Sequence, residues 1–142
     1  MSEAAIVSSF QVFQTVPPRI EKGKDFAFLA RSDIANVSVQ VVAAGGENNL
    51  HAHTGSDEVW FVLEGEVTFY TEGDREVARL GPWGGLLIPR GAPYWFESSG
   101  SQPLVILRFG AKAQDAQDGR NDYAPPSETI RSLLETLPAG DR

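Results

Sequence analysis

Glycine and proline interrupt this chain so often that the apolar segments between them have room only for short strands. Fourteen glycines and nine prolines fall within 142 residues. The segments they bound are rich in β-branched and aromatic side chains, the composition of strands rather than helices. Residues 5–14 (AIVSSFQVFQ) and 24–31 (KDFAFLAR) read as the first two strands. In 36–44 (NVSVQVVAA), Val37, Val39 and Val41 share one face, with Ser38 and Gln40 on the other. Further runs fit at 50–53, 58–63, 66–71, 75–80, 85–88, 94–98 and 103–109. Nine or ten short strands with turn signals between them predict an all-β sandwich or barrel.

The tail changes character. Residues 111–126 are polar and are expected to be irregular, an arm lying on the barrel or on a neighbour. From Ser127 the apolar period becomes helical, with Ile130, Leu133, Leu134 and Leu137 at i, i+3, i+4 and i+7. Ser127 suits the N-cap and Glu128 the first turn, while Pro138 and Gly140 end the helix. This helix is expected to pack on the outer face of the barrel in a structural role. The expected organisation is one domain: a barrel over 1–110, including N-terminal strands, and an arm plus helix over 111–142.

Composition removes several function classes. The absence of cysteine excludes disulfides, thiolate metal sites and thiol catalysis. A net charge of −7 and a pI of about 4.7 oppose nucleic-acid binding. No apolar run approaches the roughly 20 residues of a membrane span, and Met1-Ser2-Glu3 does not begin a signal peptide. A cytoplasmic protein that takes a small-molecule partner is expected, without nucleic acid or membrane.

His51 and His53 are the only histidines. In a strand, residues at i and i+2 point the same way, so both imidazoles project together. Glu58 follows across a glycine-containing turn, at the start of the next strand. On the residues alone two readings stand: exposed histidines beside a solvated carboxylate, or two nitrogens and a carboxylate converging on a divalent metal. Trp60 shares the parity of Glu58, and Phe96 that of Tyr94, so both are candidate walls of a pocket. Among Arg31, Arg90 and Arg108, the last is the best candidate for a cation facing a carboxylated substrate. It interrupts the apolar run 104–109 with the parity of Leu104 and Ile106.

The spacing Gly45, five residues, His51-x-His53, four residues, Glu58, six residues, Gly65 resembles the first motif of the cupin superfamily. Pro89-x-Gly91 resembles the first half of its second motif. The resemblance covers about Gly45 to Ser98 and implies a double-stranded β-helix, the cupin jelly-roll barrel. It also implies that His51, His53 and Glu58 ligate iron, manganese, nickel or zinc, unless the metal has been lost. Single-barrel relatives commonly pair, so a homodimer using the free edge of an N-terminal strand is expected. The chain departs from the family where a fourth ligand, histidine, would stand: it has Tyr94. Ser98 replaces a frequent asparagine, and Trp83 an expected glycine. Tyr94 could ligate as a phenolate, stand beside the metal as an acid or hydrogen-bond donor with a catalytic role, or fill a metal-free site. The implied function is a metal-dependent dioxygenase, isomerase or lyase acting on a small organic molecule. The alternative is a non-catalytic metabolite-binding barrel with a degenerate metal site.

Overall fold

Alternation along each strand decides what the barrel encloses, and short glycine turns decide where each strand stops. At Gly65 the backbone adopts φ +80°, and a Cβ there would lie 2.7 Å from the Pro103 carbonyl oxygen. Only glycine fits that corner. The computed structural model describes residues 2–114 and 119–137.

Ten strands follow in order: β1 (Lys24–Arg31), β2 (Ala35–Val42), β3 (His51–His53), β4 (Ser56–Glu64), β5 (Val67–Thr71), β6 (Arg75–Leu80), β7 (Gly85–Ile88), β8 (Trp95–Ser98), β9 (Leu104–Lys112) and β10 (Arg120–Asp122). Two helices flank them, α1 (Glu3–Ser9) and α2 (Glu128–Glu135). One sheet has the order β1-β2-β9-β4-β7, a second β6-β5-β8, and β10 pairs with β3. The pairings between named strands are antiparallel. This is the expected all-β jelly roll with a short C-terminal helix.

Register fixes the interior. Trp60 lies opposite Arg108 and Val62 opposite Ile106, so Glu58, Trp60 and Val62 share the inner face with Leu104, Ile106 and Arg108. Val42, Val62, Val67, Phe69, Phe96, Leu104 and Ile106 fill the barrel with essentially no exposure. Each such side chain contributes about 1.5–3 kcal/mol of burial. The opposite parity builds a second cluster outside the large sheet, where Val39, Val41 and Val105 pack with Ile20, Leu29 and Leu107.

Three expectations are corrected. Residues 5–14 form no strand; α1 takes Glu3–Ser9 and the following residues are irregular. The Ser2 hydroxyl accepts from the Ala5 N–H at 3.1 Å and Glu3 sits in the first turn, so local capping prevails where no strand edge is paired. The polar tail is not wholly irregular, because Arg120, Asn121 and Asp122 pair with His53, Ala52 and His51. Helix α2 forms as expected, and the Ser127 hydroxyl accepts from the Ile130 N–H at 3.2 Å. It does not, however, lie only on the outer wall: Leu134 and Leu137 line the cavity inside the barrel mouth. Pro138 and Gly140 lie outside the described residues. Among the described residues no helix is long and apolar enough to cross a membrane.

Candidate ligand site at the barrel mouth

Strand β3 is only three residues long, yet it is held along both edges. On one side it pairs with β10. On the other, the His51 and Tyr94 backbones exchange N–H···O bonds of 3.0 and 2.8 Å. This places the Tyr94 ring centroid 4.5 Å from His51 and 6.2 Å from His53, with the two imidazoles 5.2 Å apart and nearly perpendicular. All three side chains are buried and line a cavity of about 30 Å³. Space of that size admits about two waters. Trp60, Gln40, Asn48, Lys24, Phe26, Arg108, Arg120, Leu134 and Leu137 complete the wall.

Most of the residues singled out from the sequence converge here, but they are not equivalent. His51, His53, Tyr94, Trp60 and Arg108 line the cavity. Phe96 does not; it stands behind Trp60, with ring centroids 4.9 Å apart. Glu58 is also absent from the cavity wall. Its two oxygens accept from Arg108 Nε and Nη2, each at 2.8 Å, and Oε1 accepts from the Ser56 hydroxyl at 2.9 Å. The acid and the arginine are both almost completely buried. Such a two-pronged guanidinium–carboxylate pair is strong and directional. Arg31 and Arg90, the weaker candidates, are exposed and take no part in this cavity.

The sequence reading missed Lys24 and Arg120. Lys24 Nζ lies 5.1 Å from the ring centroids of both Phe26 and Phe96. Arg120 donates from Nε to Asp122 at 2.9 Å and from Nη2 to the Asn49 side chain at 2.6 Å. Asn49 in turn donates to Asp122 and to the Ala124 carbonyl, each at 2.7 Å, tying the tail to the histidine strand. The only available signal was the pair of opposite charges at 120 and 122, two residues apart.

The cavity is electropositive. Burial drives the His51 imidazole well below its ordinary range, and Arg120 adds to that; burial and Arg108 push His53 down to about 2. Both rings are neutral at pH 7. His51 Nδ1 lies 2.6 Å from the Asn49 carbonyl, so in the neutral ring Nδ1–H donates and Nε2 keeps its lone pair. Burial, reinforced by Glu58, raises the Tyr94 phenol above its ordinary value, so it is a hydrogen-bond donor rather than a phenolate. Two buried polar atoms of the wall, Trp60 Nε1 and Gln40 Oε1, have no hydrogen-bond partner among the described residues. The indole N–H is close enough to favour the Tyr94 anion without closing a bond of good geometry. Orphaned donors and acceptors in a native interior call for a ligand or ordered water.

A divalent metal fits this donor set poorly. Among the described residues no three His, Cys, Asp or Glu side chains are arranged to hold an ion. His53 Nδ1 is 3.9 Å from Glu58 Oε1, but that carboxylate is already neutralised by Arg108. A phenolate ligand would require ionising the group whose burial most opposes it.

Comparison with known proteins agrees with the fold. No curated protein matches the chain. Among solved structures, an uncharacterized conserved protein with a double-stranded β-helix domain from Klebsiella pneumoniae superposes with a TM-score of 0.64 at 16% identity, over 77% of this chain and 91% of that one. A cupin superfamily protein from Desulfitobacterium hafniense gives 0.60 at 19% identity, over 73% and 97%. The DMSP lyase DddQ from Ruegeria pomeroyi gives 0.58 at 23% identity, over 72% of this chain and 53% of that one. The family model for the cupin domain matches residues 38–109, half of the chain. With the jelly-roll topology and the first-motif spacing in place, this chain belongs to the cupin domain family.

Proposed function

We propose that this cupin binds a small organic anion in its barrel, and that its Arg108 guanidinium takes the place of a metal as the cation serving Glu58. The observation that carries this reading is the position of Glu58, closed by Arg108 and turned from the cavity, while Lys24 and Arg120 face it. Arg120, together with the protonated fraction of Lys24, at a mouth whose histidines are neutral favours a negatively charged guest. The orphaned Trp60 donor and Gln40 acceptor suit a guest that also carries a carbonyl or hydroxyl.

Titration calorimetry of the full chain with small mono- and dicarboxylates tests the proposal. Lys24→Met and Arg120→Gln should each weaken binding about tenfold, the cost of removing one charge-assisted contact. Protein purified without chelators or a histidine tag should hold no stoichiometric transition metal. Near-stoichiometric metal that disappears in His51→Ala and His53→Ala would overturn the reading.

That outcome would favour a second reading, a metal-dependent dioxygenase, isomerase or lyase in which Tyr94 donates a proton. It is supported by the Asn49 carbonyl, which fixes the His51 ring with Nε2 free to coordinate. The lyase among the solved structures shows that the fold hosts enzymes, without assigning that chemistry here.

We further propose a homodimer. β1 stands at the edge of the large sheet, and the outer face of that sheet carries Leu87 and Phe109, both exposed, beside Trp83, 82% exposed against Phe61; the interface is placed on this edge and face. Sedimentation of a monomer at micromolar concentration would exclude it.

A further inference from the structure

We propose that Lys24 is an amine nucleophile that forms an imine with a small 2-oxo acid held in the barrel. This rests on the reading of the cavity as an organic-anion site and adds covalent chemistry to it. The geometry is that of a half-buried amine turned into the barrel. Lys24 opens β1, shares a strand face with Phe26, and projects inward so that Nζ lies over the Phe26 and Phe96 rings. It lines the same cavity as Trp60, Tyr94 and Arg120. Among the described residues no carboxylate pairs with it, whereas Arg108 has Glu58 and Arg120 has Asp122. Lys24 is half-buried, and a lysine partly withdrawn from water beside other cations is a recurrent design for an amine that attacks carbonyls. The electrostatics agree: burial first, then Arg120 and Arg108, hold the ammonium down to about 7, leaving much of it as free amine at neutral pH.

The remaining groups of the wall match the other parts of a 2-oxo acid, which the cavity of about 30 Å³ accommodates once Leu134 and Leu137 are displaced. Asp122 and Asn49 engage two of the five N–H groups of Arg120, leaving donors for the carboxylate. The orphaned Trp60 N–H and the neutral Tyr94 hydroxyl are donors for the oxo oxygen. The Nζ lone pair adds to C2 as the C=O π electrons move to oxygen, and a proton passes from nitrogen to that oxygen to give a carbinolamine. The nitrogen lone pair then forms C=N as the C–O bond breaks. The hydroxyl departs with a proton as water. The sum is amine plus ketone giving imine plus water, with no oxidant or reductant.

Reductive trapping tests this directly. The full chain is incubated with pyruvate and sodium cyanoborohydride at pH 7, and peptides are mapped by mass spectrometry. Lys22 and Lys112, the other two lysines, are exposed and serve as internal controls. The expected result is an N-carboxyethyl group on Lys24, formed at least about tenfold faster than on either control, because the larger free-amine fraction outweighs the lower nucleophilicity of a less basic amine. Lys24→Arg should abolish the adduct at this position while Lys22 and Lys112 react at their parent rates. Labelling spread evenly over the three lysines would overturn the proposal. So would pyruvate binding without a Lys24 adduct, which leaves the anion reading standing. Absence of both binding and adduct would remove the two together. Circular dichroism of the variant matching the parent assigns any loss to the amine rather than to the fold.

Discussion

The two ends of the barrel are built from the same strands with the same inward parity, yet they contain opposite chemistry. Toward one end Val42, Val62, Leu104 and Ile106 pack with Phe69 and Phe96. Two residues further along β4 and β9, the inward positions are Trp60, Glu58 and Arg108, beside Ser38 and Gln40 of β2. The apolar end supplies cooperative burial worth about 1.5–3 kcal/mol per side chain. The polar end gives little net stability, because desolvating Glu58 and Arg108 offsets much of their attraction. The chain therefore concentrates its stability in the floor and leaves the mouth free to be electrostatically specialised.

The most severe way to break this division is Glu58→Ala. It strips Arg108 of its buried carboxylate and should cost about 3–5 kcal/mol in urea unfolding. Glu58→Leu combined with Arg108→Met should recover most of that loss, because it removes both charges and keeps volume in place. If the single substitution proves neutral, the pair is not a buried ion pair in solution.

Acidification probes the mouth alone. An unfolded histidine binds a proton below about pH 6.5, whereas folded His51 and His53 stay neutral well below that. Their contribution to stability is complete above pH 6.5 and is lost as pH falls from there toward the folded values. Each histidine should contribute a slope of about 1.4 kcal/mol per pH unit in that window. His53→Gln should flatten the thermal-melting profile between pH 6 and 4; an unchanged profile would mean that the ring is solvated.

Ile106→Val sharpens the comparison from the other end. It should lower stability by about 0.5–1.5 kcal/mol without altering carboxylate affinity, since Ile106 belongs to the floor. A change in affinity would show that the two ends are mechanically coupled. Ser127→Ala is the mildest intervention. Losing the α2 cap costs the helix about 1 kcal/mol, so amide exchange should accelerate in residues 128–135 while β9 is unaffected.

How much of this was legible depends on the range over which each contact acts. Strand limits such as 75–80 and 85–88 follow from adjacent turn residues, and the structure reproduces them. The convergence of His51, His53, Tyr94 and Trp60 follows from parity plus motif spacing. The Glu58–Arg108 pair joins positions 50 residues apart, and parity alone shows that both point inward, not that they meet. Helical periodicity in α2 shows which face is apolar, not that Leu134 and Leu137 turn it toward the cavity. Lys24 opens the 24–31 strand, and nothing local distinguishes a solvated lysine there from one that enters a barrel. The failure at 5–14 has a different origin: β-forming side chains do not suffice for a strand where local capping holds a helix, so Gln11 meets the open edge of β1 only through its side chain and Val12 stays 94% exposed.

The place of Leu134 and Leu137 in the cavity wall has a kinetic consequence. A guest larger than the small cavity must displace Leu134 and Leu137 to seat fully beside Lys24 and Arg120, which couples binding to movement of an eight-residue helix. Observed association rates should then level off as ligand concentration rises, at a ceiling set by the opening rate rather than by diffusion. The same helix would slow escape. Residence time and affinity could thus be tuned separately, one by the leucines over the mouth and the other by the cations beneath them.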